Sequence, residues 1–144
     1  MLTVRQLLAR KGTTVHHIAP DATVLDALRQ MAQHDVGALV VLERGELAGL
    51  VSERDYARKV ILRGKHSDET RVAEIMDDKP VCVGSLHSIE DCMQLITDRR
   101  VRHLPVVENG QIAGLISIGD VVKAIIADRE TTIEELHQYI RGER

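Results

Sequence analysis

The chain has 144 residues and a mass of 16.0 kDa, the size of one domain or of two small units that share a core. Lys and Arg number 19 against 22 Asp and Glu, with no polybasic block, and Tyr56 and Tyr139 are the only aromatic residues, so nucleic acid is not an expected partner. Two cysteines, Cys82 and Cys92, exclude a disulfide framework. No apolar run is long enough for a membrane span or a secretory signal, so we expect a cytoplasmic protein without a membrane partner.

An internal repeat organises the chain. Residues 36–55 align with residues 101–120 at an offset of 65 positions, and ten of the twenty aligned positions are identical. The match continues upstream at the same offset, where residues 23–33 align with residues 88–98. It also reaches the first helix-like segment of the chain after a shift of three positions. The chain is therefore almost entirely two copies of one unit.

Each copy predicts the same order of elements. A short strand precedes an amphipathic helix, for which Thr23 and Ser88 are the expected N-caps, and two β-rich runs and a second helix follow. The predicted strands are, in chain order, 15–18, 38–42, 46–51, 81–83, 103–107 and 111–116. The unit is β-α-β-β-α, and two such units packed sheet to sheet give an α/β (α+β) fold.

The remaining segments connect or extend the two copies. Residues 63–70 are polar apart from one glycine and predict a surface linker. Ile133, Leu136 and Ile140 recur among charges, which predicts a short C-terminal amphipathic helix that docks on its own module or on a partner. We therefore divide the chain into a first repeat at 1–62, the linker at 63–70, a second repeat at 71–128 and the C-terminal helix at 129–144.

The sequences most alike in the two copies lie where a strand ends and a helix begins. They are Gly-Leu-Val-Ser-Glu-Arg-Asp at 49–55 and Gly-Leu-Ile-Ser-Ile-Gly-Asp at 114–120. Such a turn presents unpaired N–H groups and the positive end of a helix dipole, which suit phosphate, and a nearby carboxylate can accept hydrogen bonds from ribose. Ser and Asp at a helix start also serve as simple caps, and this alternative stays open.

With these motifs the chain resembles a tandem pair of CBS domains, the Bateman module. The resemblance rests also on Val-Gly-Ala-Leu-Val-Val at 36–41, Val-Arg-His-Leu-Pro-Val-Val at 101–107 and Val-Ala-Glu-Ile-Met at 72–76. Residues 52–59 bring it close to stand-alone bacterial two-CBS proteins. The resemblance implies a pseudo-twofold module whose two clefts bind adenosine compounds such as AMP, ADP, ATP, NAD(H) or S-adenosylmethionine.

The resemblance also assigns residues to the two clefts. In each cleft the motif Asp contacts ribose, the motif Ser contacts phosphate or ribose, and the opposite copy supplies the wall around adenine. The ligand-binding residues that it implies are Thr14, His16, Val36, Gly37, Ala38, Ser52, Arg54, Asp55, Val81, Arg102, His103, Ile116, Ser117 and Asp120.

The two clefts are not expected to be equivalent. Small residues of the first copy oppose Asp120 and leave room for a purine, so we expect the tighter adenosine site there. Arg102 and His103 oppose Asp55, where their charges can neutralise phosphate. The alternative is that these two side chains only pair with surface carboxylates, a contact of little energetic value.

Other residues with potential chemistry are interpreted as structural. The seven histidines are scattered and predict no metal site. Arg99 and Arg100 end a predicted helix, where cations suit the negative end of the dipole, so of this basic run only Arg102 keeps a predicted binding role. Motifs of nucleophilic, P-loop or zinc-dependent enzymes are missing from the sequence, so we expect neither catalysis nor a catalytic cofactor.

The leading hypothesis is therefore a regulatory binding module. By resemblance, it is a homodimer that binds an adenine nucleotide or NAD and reports energy or redox state to an effector protein that the sequence does not identify. The alternative hypothesis is a dimerisation or docking module for an enzyme or transporter, with clefts that bind no ligand. Binding of a nucleotide distinguishes the two.

Overall fold

The computed structural model describes residues 2–141, so Met1 and residues 142–144, which the predicted boundaries include, lie outside the described residues. Its helices and strands follow the predicted order closely. They are α1 (Val4–Lys11), β1 (His17–Ile18), α2 (Val24–His34), β2 (Ala38–Glu43), β3 (Glu46–Ser52), α3 (Glu53–Tyr56), a π-helical turn (Ala57–Ile61), α4 (Val72–Ile75), α5 (Ile89–Arg99), β4 (His103–Glu108), β5 (Gln111–Ser117) and α6 (Ile118–Arg141).

Each repeat contains an antiparallel hairpin, β2–β3 or β4–β5. Both hairpins turn through two residues of positive φ, Arg44 (52°) with Gly45 (79°) and Asn109 (52°) with Gly110 (76°), which is the type I′ geometry that matches strand twist. In the first repeat β1 adds a parallel strand beside β2, and in the second repeat a single parallel bridge from Val83 takes that place. The hairpins predicted from turn residues are confirmed.

The predicted N-caps of the amphipathic helices are also confirmed. The Thr23 hydroxyl accepts a hydrogen bond from the Asp26 N–H at 3.1 Å, and the Ser88 hydroxyl accepts one from the Asp91 N–H at 3.0 Å. Each bond satisfies one N–H group that has no partner inside the helix. The two helices therefore begin at the same position relative to their hairpins.

The short helix that leads each repeat packs on the core of the other repeat. Val4, Leu7 and Leu8 of α1 are buried in the core of the second repeat, whereas Val72 and Ile75 of α4 are buried in the core of the first. Backbone hydrogen bonds between the chain entering each helix and the opposite repeat fix this arrangement. The repeats predicted at 1–62 and 71–128 therefore each contribute one helix to the core of the other.

The exchange joins two half-cores into one mixed α/β module. Strands β3 and β5 lie close to each other where the repeats meet, and each hairpin carries one helix before it and one after it. The related placement of the two copies gives the module its pseudo-twofold symmetry. A repeat of about 60 residues buries too little surface to be stable alone, so the second copy completes the fold.

Two connecting segments differ from the sequence-based prediction. The end of the predicted linker is not on the surface: Thr70 is buried, and its hydroxyl donates to the His66 carbonyl at 2.8 Å. The predicted C-terminal helix is not a separate element, because α6 continues without a break from Ile118 to Arg141. None of the described helices is long and apolar enough to cross a membrane.

Candidate functional site

The two motif turns have the same hydrogen-bond pattern. One carboxylate oxygen of Asp55 accepts from the Ser52 N–H at 2.9 Å and from the Ser52 hydroxyl at 3.0 Å, while that hydroxyl accepts from the Asp55 N–H at 3.2 Å. Asp120 accepts likewise from the Ser117 N–H at 2.8 Å, and the Ser117 hydroxyl accepts from the Asp120 N–H at 3.1 Å. Each pair thus caps a helix as a reciprocal box and fixes the position of its carboxylate.

A pocket of about 360 Å³ opens beside Asp55, and we call it the Asp55 pocket. Its volume is within the range of small-molecule sites. Both repeats contribute to it, the first through the end of β3 and the helical turn that follows, the second through the end of α5 and the start of β4. The residues that line it are Leu50, Ser52, Arg54, Asp55, Arg58, Lys59, Asp77, Arg99, Arg100, Val101, Arg102 and His103.

Electrostatics distinguish this pocket, because six Lys and Arg side chains line it against two carboxylates. Some of these cations are fixed by the protein. The Lys59 ammonium lies 3.4 Å from Asp55 Oδ1 and donates to the Ile75 carbonyl at 2.9 Å, and Arg54 donates to the Arg100 carbonyl at 3.3 Å across the two repeats. A pocket lined in this way favours an anion with several charged oxygens.

The lining includes residues to which the sequence analysis gave no binding role. Arg99 and Arg100 line the Asp55 pocket, so their interpretation as helix-dipole residues alone is too narrow. Arg100 is itself the C-cap of α5, with a left-handed φ of 54°. Lys59 had a sequence signal, since it is four residues after the motif Asp on a predicted helix.

His103 lies at the boundary between the two clefts. It lines the Asp55 pocket and pairs across the hairpin with Ser117 of the second motif. Burial lowers the pKa of His103, the nearby Lys11 and Arg102 cations lower it further, and the Asp120 carboxylate opposes them. The neutral imidazole is therefore favoured, and His103 adds a hydrogen-bonding group rather than a charge.

A second cavity, of about 350 Å³, lies beside Asp120, and we call it the Asp120 cavity. Residues of α1 and α6 line this cavity. Its lining is more apolar than that of the Asp55 pocket and includes three cations and one carboxylate. The Lys11 ammonium lies 2.6 Å from Asp120 Oδ2 and 2.6 Å from the Leu115 carbonyl. The lining residues are Leu7, Arg10, Lys11, Asp120, Lys123, Ala124 and Ala127.

Lys11 controls the charge of this second carboxylate. Burial raises the pKa of Asp120, but hydrogen bonds from Lys11 and Ser117 and the charge of Lys11 outweigh it and hold that pKa below the ordinary value. Asp120 therefore forms an ion pair with the Lys11 side chain of α1. Because α1 belongs to the exchanged part of the fold, sequence spacing within the second repeat could not reveal Lys11.

Several predicted site residues lie elsewhere. Gly37 does not line the Asp120 cavity but a pocket shared with Ser52, Arg54 and Arg102, and a Cβ there would be 3.3 Å from the Glu53 carboxylate and 3.7 Å from the imidazole of His103. The ring of His16 stacks on that of His34 at 3.8 Å. Of the other predicted residues, Thr14 is exposed, Val36 and Val81 pack against the two cores, and Ala38 and Ile116 are buried.

The histidines and cysteines of the described chain form no evident metal site. Over residues 2–141, no cluster of three or more His, Cys, Asp or Glu side chains is arranged to bind a metal ion. Cys82 is exposed and Cys92 is buried, and both are free thiols. The polar side chains that line the two clefts are cations, carboxylates, the Ser52 hydroxyl and the His103 imidazole.

Sequence comparison identifies the repeat unit. The CBS domain family model matches residues 4–62 and 72–127. The chain is 44% identical over 127 residues to the CBS domain-containing protein CBSX3, mitochondrial, from Arabidopsis thaliana, covering 85% of this chain and 62% of the plant protein. The chain thus spans less than two thirds of the length of that relative.

Solved structures agree with the sequence comparison. The crystal structure of the CBS domain NE2398 superposes with a TM-score of 0.83 at 47% identity, covering 86% of this chain and 97% of that chain. The crystal structure of CBSX2 in complex with AMP superposes with a TM-score of 0.73 at 25% identity, covering 90% of this chain and 99% of that chain. The chain therefore belongs to the CBS-domain family, with two CBS domains in tandem.

Proposed function

We propose that this chain is a regulatory module that binds an adenine nucleotide or NAD with the phosphates in the Asp55 pocket. The observation that supports this most directly is the convergence of six basic side chains from both repeats beside the carboxylate of the first motif. Arg and Lys side chains bind phosphate oxygens through charge-assisted hydrogen bonds. A carboxylate at the edge of the same pocket suits the hydroxyls of a ribose.

The AMP complex of CBSX2 supports the choice of ligand class, because that protein shares the two-domain fold. AMP, ADP and ATP are therefore the first candidate ligands, and NAD(H) stays a candidate because the family resemblance implies it. Since the Asp55 pocket has a surplus of cations, its affinity increases with the number of phosphates on the ligand.

The geometry changes which of the two clefts we expect to bind a nucleotide more tightly. Residue size alone predicts the tighter adenosine site at Asp120, yet both motif carboxylates already pair with a lysine, and three cations line the Asp120 cavity against six in the Asp55 pocket. We therefore place the first binding event in the Asp55 pocket. The Asp120 cavity, with fewer cations and more apolar lining, suits a ligand of lower charge.

The remaining parts of the proposal concern the assembly, the signalling and the compartment of the protein. It acts as a homodimer, it senses its ligand without converting it, and it reports the bound state to an effector protein by a change of shape or affinity. The cytoplasm remains our prediction for its compartment. The plant relative CBSX3 is named as a mitochondrial protein, so cell fractionation is the test.

Thermal unfolding followed by circular dichroism tests binding. A ligand that binds only the folded state adds about 2.7 kcal/mol to its stability at a hundredfold excess over Kd. We expect ATP, ADP or AMP to raise the melting temperature, with NAD, NADH, S-adenosylmethionine and GTP measured in parallel. If none of these compounds shifts the transition while the dimer is intact, the docking-module alternative replaces this proposal.

Matched variants locate the site. Arg58→Ala and Arg102→Ala each remove one pocket cation and are expected to weaken binding about tenfold or more, since a hydrogen bond to a charged group contributes about 1.5–3 kcal/mol. Arg63→Ala removes an exposed arginine outside the pocket and is the control. Lys123→Ala tests the Asp120 cavity. A loss of binding in Lys123→Ala alone contradicts placement in the Asp55 pocket.

A further inference from the structure

The distal part of α6 has no covering surface within the described chain. From Ile126 to Arg141 every residue is exposed except Gln138, which is half-buried. These sixteen residues form about 24 Å of helix, and helices in proteins are stabilised mainly by packing of an amphipathic face. The CBS family model ends at residue 127, so most of this segment lies beyond the CBS domains. We call residues 126–141 the distal segment.

The distal segment continues an apolar stripe with the spacing of a coiled coil. Ile133, Leu136 and Ile140 are 55%, 57% and 72% exposed, and they follow one another at intervals of three and four residues. Val122 and Ile126, also exposed, extend the same a/d pattern toward the body of the protein. Such a stripe is the seam by which two helices pack knobs into holes.

Charges on the segment indicate what covers the stripe. Asp128, Glu130, Glu134 and Glu135 repel the anionic surface of a membrane, so a lipid partner is disfavoured. The seam has one charged position, Arg129. In a parallel pair, the two Arg129 side chains would meet in one layer, and like charges would oppose each other.

An antiparallel pair removes this repulsion, because Arg129 then faces Ile133 instead of a second Arg129, and the other seam residues face apolar partners. With a and d positions facing each other, Val122 lies opposite Ile140, Ile126 opposite Leu136 and Arg129 opposite Ile133 of the other copy. The pattern is self-complementary, as a twofold interface requires. Each Arg129 guanidinium then lies within about one helical turn of Glu130 of the other copy. The same sequence thus supplies apolar contact and charge complementarity.

We propose that the distal segment pairs with the distal segment of a second copy as an antiparallel two-stranded coiled coil. This inference rests on the proposed homodimer and adds to it a contact surface that lies mostly beyond the CBS domains. It is independent of nucleotide binding, because the seam lies on the exposed side of α6 and its residues line neither the Asp55 pocket nor the Asp120 cavity.

Sedimentation analysis of the full chain tests the interface. The wild type is expected to sediment as two chains, and Leu136→Glu is expected to dissociate at a higher protein concentration, with an unchanged circular dichroism spectrum because Leu136 is exposed. Thr131→Glu adds the same charge off the seam and is expected to remain dimeric. A Leu136→Glu variant that dissociates at the same concentration as the wild type overturns the inference alone, whereas a monomeric wild type overturns the homodimer as well. The nucleotide titration on Leu136→Glu reports separately on the proposed function.

Cysteine cross-linking tests the orientation. In a Cys82→Ser background, a mixture of Ile126→Cys and Leu136→Cys proteins is expected to form a mixed disulfide under mild oxidation. In the antiparallel register neither variant cross-links to itself. Self-linking of Leu136→Cys identifies a parallel pair and overturns the proposal, as does a mixture that forms no mixed disulfide.

Discussion

Two equivalent glycines offer a direct test of the helix exchange. Gly49 and Gly114 occupy matching positions in β3 and β5, and each contacts the segment exchanged from the other half of the chain. A Cβ on Gly49 would be 2.6 Å from the Asp77 carbonyl oxygen, which is backbone, and 2.9 Å from the Met76 sulfur. A Cβ on Gly114 would be 2.8 Å from a terminal methyl of Leu8. The same substitution therefore meets a rigid group in one repeat and a flexible group in the other.

The two substitutions therefore differ in how much they destabilise the folded state. In Gly49→Ala, overpacking costs about 1–3 kcal/mol, and the Asp77 carbonyl must move away from its 3.0 Å hydrogen bond with Leu50, a further loss of about 1 kcal/mol. The reduced entropy of the unfolded chain returns about 0.4–1 kcal/mol. The net destabilisation is about 1–3.5 kcal/mol, with a central value of about 2 kcal/mol. In Gly114→Ala, the Leu8 side chain adjusts its rotamer at about 0.5–1.5 kcal/mol, and the same entropy term nearly cancels this cost.

Urea and thermal unfolding followed by circular dichroism measure the difference, because the chain has no Trp for fluorescence. Gly49→Ala is expected to melt about 5–10 °C below the wild type, and Gly114→Ala within about 3 °C of it. All samples are compared at one protein concentration, since association shifts the midpoint. Equal losses in the two variants, or a larger loss in Gly114→Ala, would refute the packing argument.

Two further predictions concern ionisable groups. Asp120 has a folded pKa below its unfolded value of about 3.9, so its contribution to stability is complete above that pH and is lost as the pH falls through the folded pKa. The stability deficit of Asp120→Asn relative to the wild type is therefore expected to shrink in urea titrations as the pH falls below about 5, and a constant deficit contradicts the ion pair with Lys11. Burial, and then the Asp91 charge, raises the pKa of Cys92 to about 11, whereas Cys82 is exposed. Iodoacetamide is expected to modify Cys82 first in the native protein, as peptide mass spectrometry would show; faster labelling of Cys92 would disprove its burial.

Features governed by neighbours in the sequence were predictable. The caps at Thr23 and Ser88 and the hairpins at the two glycine turns depend on interactions spanning a few residues, and the structure contains them. The motif turns were located for the same reason. Repetition strengthened each of these predictions, since the same pattern occurs twice.

Features governed by tertiary contact were not predictable in the same way. The sequence of residues 4–11 indicates which side of an amphipathic helix is buried but not which of the two cores buries it. The helix exchange and the contact of Lys11 with Asp120 were therefore not predicted. The sequence held one hint of the helix exchange. Residues 4–8 align with residues 72–76 only after a shift of three positions from the offset of the rest of the repeat. The break at residue 129 had no physical basis, because no Pro or Gly interrupts α6 after Gly119.

The exchanged helices also constrain the order in which the chain can fold during synthesis. The first repeat lacks part of its core until Val72 and Ile75 have been made, and α1, made first, has no core to join until the second repeat is complete. The Thr3–Ser88 bridge closes a loop of most of the chain, and such long-range contacts slow folding. A ribosome-bound fragment ending at the linker therefore exposes two unfinished apolar surfaces, and folding is expected to proceed in one concerted step only after the second repeat has been released.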